Sequence, residues 1–330
     1  MSFTLDELAT LLEAELSGDG AYCVLRCGNV ETAARGVLVV VERVQQARPC
    51  TAAGAAVITA VELPAIEDGP INALVCDKPR VQFHAVGRLL AAQEDLGAQV
   101  GSVAIAESAS VHSTARLAPG CVVQHGARVD AHALLFPGVI VERSAHVGPG
   151  CIVRSGAVIG PEAVLGPMCE IGSGSVIGAE PQQFEAAEGV WTRQIDRTRV
   201  RLGKRVVVGA NSVLESGARR ETIIESDVLI GGQVYISHDC HIEEGVLIIG
   251  QSGLASGVHV GPAAALMARV AVDVDIDIGA GAFVLATAGV TKDVPPGARV
   301  WGNPARSRID ALRRASRSIR SSEHLEESVD

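Results

Sequence analysis

Four consecutive residues, His238, Asp239, Cys240 and His241, form the densest run of reactive side chains in the sequence. Imidazole, carboxyl and thiol together fit either a metal site or an acid–base centre. The spacing argues against the metal. Residues three apart on one strand point to opposite faces, a corner between them parts them further, and zinc wants three or four convergent ligands. We therefore expect no metal here. His238 alone, two residues after Ile236, reads either as an ordinary solvated histidine or as a general base, whose ordinary pKa of about 6.5 suits proton transfer at neutral pH.

The chain that must position these residues repeats with a period of six. Stepping by six from Ile105 to Ile177 meets thirteen positions, all aliphatic. The phase breaks near Gln183, restarts at Leu202, Val208 and Leu214, and slips by four. It then runs from Ile224 to Val290 through twelve more aliphatics without a miss. A helix repeats near 3.6 residues and a strand near two, whereas a short strand and a turn repeated around a prism give six. The expected fold class is therefore a β solenoid, a parallel β-helix of about nine coils with three hexads each. The residue four after each aliphatic is usually small (Cys121, Ala127, Ala133, Ala145, Cys151), as a tight corner requires. Gly160, Gly166, Gly172 and Gly178 are expected to supply permissive turn geometry.

Three further segments surround or interrupt the repeats. Residues 1–100 read as a small α/β domain: Thr4 and Glu7 form a capping box for a helix burying Leu5, Leu8, Leu11 and Leu12. Strand-like runs follow at 36–41, 55–59 and 73–76, and a second helix at 81–93. Residues 101–292 carry the coils, interrupted by a loop insertion at 179–201. There Phe184 and Trp191 lie beside Arg193, Arg197, Arg199 and Arg201, either to cover an apolar chain or anionic group, or to pack on the coil. Residues 293–330 form a proline turn and a basic C-terminal α-helix, with seven arginines against Asp310 between Arg299 and Arg320. Arg306, Arg313, Arg314 and Arg317 are candidates for docking an acidic carrier or coenzyme; the other reading is a solvated face that closes the coil.

Composition narrows the classes further. A net charge of −10 argues against general nucleic-acid binding, and no apolar run reaches the roughly 20 residues of a membrane span. Eight scattered cysteines fit reduced thiols, and Met1 leads into Asp6 and Glu7 without a signal-like core, so a cytoplasmic location is expected.

The stretch GGQVYISHDCHIEEGVLIIG (231–250) resembles the segment carrying the catalytic histidine in the UDP-3-O-(3-hydroxyacyl)glucosamine N-acyltransferases of lipid A biosynthesis. FTLDELATLLEAELSGDG (3–20), KPRVQFHAVGRLL (78–90) and GVWTRQIDRTRVRLGKRVVVGANSVLESGA (189–218) are similar to that family's opening helix, later helix, and insertion loop with the coil beyond. The resemblance implies a left-handed coil and a homotrimer. It also implies transfer of a 3-hydroxyacyl chain from acyl carrier protein to the 2-amino group of a UDP-3-O-acylglucosamine, with no cofactor besides the donor. His238 would be the general base, and the backbone at Ser256 and Gly257 would meet the oxyanion. The family's second active-site histidine aligns with Asp275, its aspartate before the base with Gly231, and its uracil-stacking aromatics near Val40 and Gln46. A second resemblance, in VPPGARVWGNPARSRI (294–309), points to acetyl-CoA-dependent sugar acetyltransferases of the hexapeptide class. A non-catalytic β-helical scaffold is the third reading.

Overall fold

The computed structural model describes residues 2–61, 63, 71–96, 102–187, 189–194, 196–307 and 309–310. The chain divides into two compact units, Met1–Val100 and Gly101–Asp330.

In the first unit, Thr4 caps helix α1 (Leu5–Leu12). Its hydroxyl accepts from the Glu7 N–H, and the Glu7 carboxyl accepts from the Thr4 N–H at 2.8 Å. The i, i+3, i+4 spacing of Leu5, Leu8, Leu11 and Leu12 then buries all four on one face. A five-stranded sheet runs in the order Glu15–Ser17, Ala73–Val75, Ala56–Thr59, Val37–Val40, Arg26–Gly28, parallel except for its first pair. Its central strands are almost continuously aliphatic and buried, as a parallel sheet covered on both faces demands. Helix α2 (Val44–Ala52) was not expected, because Pro49 sits inside it and only Ala47 and Cys50 face the core. Helix α3 (Pro79–Leu96) extends the expected helix at both ends.

The second unit is a three-sided parallel β-helix. Its sheets hold ten, nine and eleven strands, nearly all two-residue steps whose second residue is the inward aliphatic. Each rung bonds to the next coil through paired backbone hydrogen bonds, such as Val122 N–H to Val139 O at 2.9 Å and Gln124 N–H to Val141 O at 2.8 Å. The inward column from Val123 to Val290 is buried almost completely, whereas Ile105 on the first rung is 49% exposed because no coil precedes it. The stack also outlasts the expected boundary at 292. Val294 bridges to Ile278, and Arg299–Trp301 pairs with Phe283–Val284, which completes a tenth coil. The prolines at 295 and 296 therefore turn a corner within the coil.

Two details correct the sequence reading. In most turns the left-handed residue is the third after the inward aliphatic, as at Asp239, Asp275 and Gly257. Gly160, Gly166 and Gly172 sit one residue after the aliphatic and have ordinary φ. They are glycine because a Cβ would collide with the backbone of the next coil, at Gly178, Gly203 and Ala210 respectively. Of the four expected turn glycines, only Gly178 has positive φ. The insertion, in turn, is an ordered antiparallel hairpin, Gln183–Ala187 with Val190–Gln194, and the chain rejoins the sheet at Val200.

Candidate active site

His238 occupies the turn between the strands Tyr235–Ile236 and His241–Ile242, and is only 9% exposed. Two acids fix it. Glu215, itself buried, accepts from the His238 N–H and the Ser237 hydroxyl, each at 2.9 Å, from the Gln182 N–H at 3.1 Å, and from the Tyr235 hydroxyl. That carboxyl anchors the backbone of the turn from the coil below. Asp239 holds the ring: its Oδ2 lies 3.2 Å from His238 Nδ1, and its Oδ1 accepts from the N–H groups of Ala218, Arg219 and Arg220 at 2.8 to 3.1 Å. Burial opposes the Asp239 charge, but the backbone donors of Ala218, Arg220 and Arg219 and the His238 contact outweigh it, so the carboxyl lies below its ordinary range.

The chemistry follows from these contacts. With Nδ1–H directed at an anionic Asp239, the neutral ring carries its lone pair on Nε2, which has no partner among the described residues. His238 lines a cleft of about 270 Å³ with Arg219, Arg220, Asp239, Ser256, Gly257, Val274 and Asp275. A base held in one tautomer at a cleft wall can take a proton from a bound nucleophile. The Arg220 guanidinium crosses the site, bonding the carbonyl of Asp239 at 3.0 Å and that of Gly257 at 3.3 Å. Cys240 is no nucleophile: burial pushes its thiol up to about 12, and it bonds to the Ala255 carbonyl.

The expected oxyanion contact needs a correction. The Gly257 N–H already donates to the His238 carbonyl at 3.1 Å, and the Ala255 N–H to Val272 O at 3.0 Å. Ser256 is left as the backbone donor of that turn. Gly257 matters for another reason, since it has φ +74° and a Cβ there would strike the Asp275 carboxylate. Asp275 therefore stands at the same corner one coil above Gly257 and two above Asp239, its N–H bonded to Ser256 O at 3.0 Å.

The remaining expected residues lie elsewhere. Phe184 and Trp191 are 58% and 75% exposed on the hairpin, so they do not pack on the coil. Near that hairpin Arg143, Arg193 and Arg197 line a separate cleft of about 230 Å³. Arg306 is exposed on a strand, Arg306–Ser307, that folds back against Trp301. Arg313, Arg314, Arg317 and the helix expected to carry them fall outside the described residues. Gln46 caps α2, its side chain accepting from the N–H groups of Glu42 and Arg43 at 3.2 Å, and Val40 ends a sheet strand. Sequence reasoning missed Glu215 and Arg220, although Glu215 follows an inward leucine in a hexad adjoining the phase slip.

No family model matches the chain. A stretch of 58 residues is 40% identical to UDP-3-O-acylglucosamine N-acyltransferase of Burkholderia multivorans, covering 18% of this chain and 16% of that protein. Another of 54 residues is 37% identical to the protein of the same name from Herminiimonas arsenicoxydans, covering 16% and 15%. The chain resembles UDP-3-O-acylglucosamine N-acyltransferases. It matches about one-sixth of the length of these curated relatives. Among solved structures, UDP-N-acetylglucosamine acyltransferase of Francisella novicida aligns with TM-score 0.49 and 26% identity, over 64% of this chain and 73% of that one. UDP-N-acetylglucosamine O-acyltransferase of Moraxella catarrhalis aligns with TM-score 0.48 and 22% identity, over 64% and 76%.

Proposed function

We propose that the chain is an N-acyltransferase that moves a 3-hydroxyacyl group from acyl carrier protein to the 2-amino group of a UDP-3-O-acylglucosamine, working in the cytoplasm as a homotrimer. The observation that carries the reading is the buried His238–Asp239 pair, whose Nε2 lacks a partner at the wall of a cleft. In the reaction, His238 Nε2 takes a proton from the amine as its nitrogen bonds to the thioester carbonyl. Asp239 steadies the resulting imidazolium. The Ser256 N–H supplies a donor for the tetrahedral oxyanion. As the C–S bond breaks, the imidazolium returns its proton to the departing thiolate.

Arg219 and Arg220 at the cleft suit an anionic substrate such as a nucleotide diphosphate sugar. The exposed Phe184 and Trp191 offer apolar surface for an acyl chain. With Gln46 committed to its cap and Val40 aliphatic, uracil stacking has to come from other residues. The Gly302–Arg306 segment is used structurally, with the Ala305 N–H on Gly289 O at 2.7 Å, and gives no specific support to an acetyl-CoA site.

His238→Ala tests the assignment. Loss of about 10²- to 10⁴-fold in kcat with an unchanged far-UV spectrum is the expected result. Activity near that of the parent protein removes His238 as the base.

A further inference from the structure

One cluster of reactive side chains takes no part in the chemistry above. His241, Glu243 and His259 each offer a ligand atom, and these atoms lie within 4.8 Å of one another. The coil itself creates the group. Three hexads carry the chain once around the prism, so His241, His259 and Asp277 fall on successive rungs in register. The two imidazole centroids stand 5.3 Å apart with a 30° tilt.

Each histidine also has a carboxylate on one ring nitrogen: Glu225 meets His241 Nε2 at 2.8 Å, and Asp277 meets His259 Nδ1 at 2.9 Å. Such a partner makes that nitrogen a donor and leaves the lone pair on the other, the arrangement that orients metal-binding histidines. In His259 the other nitrogen, Nε2, lies 2.6 Å from Glu243 Oε1. His241 and His259 line an open cleft of about 640 Å³, which gives an ion an entry path and room for water in its remaining positions.

We propose that His241, Glu243 and His259 bind a divalent transition cation of the zinc class. Two imidazoles and one carboxylate favour zinc, cobalt or nickel over the all-oxygen sites of magnesium and calcium. The ligands stand on adjacent rungs of a rigid sheet and are each about one-third exposed, which describes an exchangeable site. His238 is not a ligand, because Asp239 holds its Nδ1 and its turn belongs to the neighbouring cleft. The inference does not rest on acyl transfer.

The test is calorimetric titration of the chelator-stripped full chain with zinc chloride at about pH 7.5. The visible spectrum of the cobalt-substituted protein is recorded alongside. One ion per chain with a micromolar or tighter Kd is expected, weakened at least tenfold by His259→Gln and by Glu243→Gln, less by Asp277→Asn, and unchanged by His238→Ala. Absence of binding overturns the proposal, as does an equal Kd in a correctly folded His259→Gln or Glu243→Gln variant. Loss of binding in His238→Ala also overturns it, by moving the ion to the other cleft. Since the readout is ion binding, its failure leaves the acyl-transfer reading standing, and the reverse holds.

Discussion

His238 depends on Asp239 for its tautomer, and a single oxygen-to-nitrogen exchange isolates that dependence. In Asp239→Asn the amide oxygen still accepts from Ala218, Arg219 and Arg220, so the turn is kept. The amide nitrogen, however, faces Nδ1 as a donor and moves the ring proton to Nε2. We expect kcat to fall about 10²- to 10⁴-fold with little change in Tm; retained activity would show that the pair does not set the tautomer. Asp239 also governs acid stability. Its folded pKa lies below the ordinary 3.8, so its contribution is complete above that value and is lost as pH falls through the folded value. Asp130 shifts the same way: burial opposes its charge, and the contacts of His146 and Arg128 outweigh the burial. Unfolding free energy should therefore be level above about pH 5 and drop on further acidification. In Asp239→Asn that drop should be shallower, which a denaturation series across pH measures.

At the scale of the hexad, the ladder is the element that holds the site, and its phase was legible because every coil repeats the same burial problem. Val153 is fully buried on the inward column, so Val153→Asp places a charge without a partner inside the prism. A loss of several kcal/mol in chemical denaturation is expected, and a stable variant would contradict the phase. The glycines were misread for a physical reason. Composition shows that small residues recur, but only the stacking of the coils shows that the clearance is between them. Gly166→Ala should thus cost about 1–3 kcal/mol despite an ordinary φ, because its Cβ meets the Gly203 carbonyl. A neutral effect on Tm would return Gly166 to a merely permissive role. The same period explains the missed cluster at His241 and His259. They lie one full coil apart, a relation that hexad arithmetic contains but a scan of neighbours along the chain does not.

For the whole molecule, the coil and the capped first helix were readable because local pattern alone determines them. Helix α2 was not, since its two buried residues and internal Pro49 leave a weak amphipathic signal. The site divides similarly. His238 stood out by its neighbours in sequence, whereas Glu215 holds its N–H from 23 residues earlier and Arg220 bonds the Asp239 carbonyl from 19 residues earlier, both through coil stacking. The proposed reaction requires a carrier-bound donor and a nucleotide-sugar acceptor to meet at one cleft. Its most direct test is mass spectrometry of products formed by the purified chain from 3-hydroxyacyl carrier protein or acetyl-CoA, each offered UDP-3-O-acylglucosamine or simpler UDP-amino sugars. We predict N-acylation of UDP-3-O-acylglucosamine with the carrier-bound donor, abolished by His238→Ala. Turnover of acetyl-CoA on a simpler sugar, or no product from any pair, would contradict it.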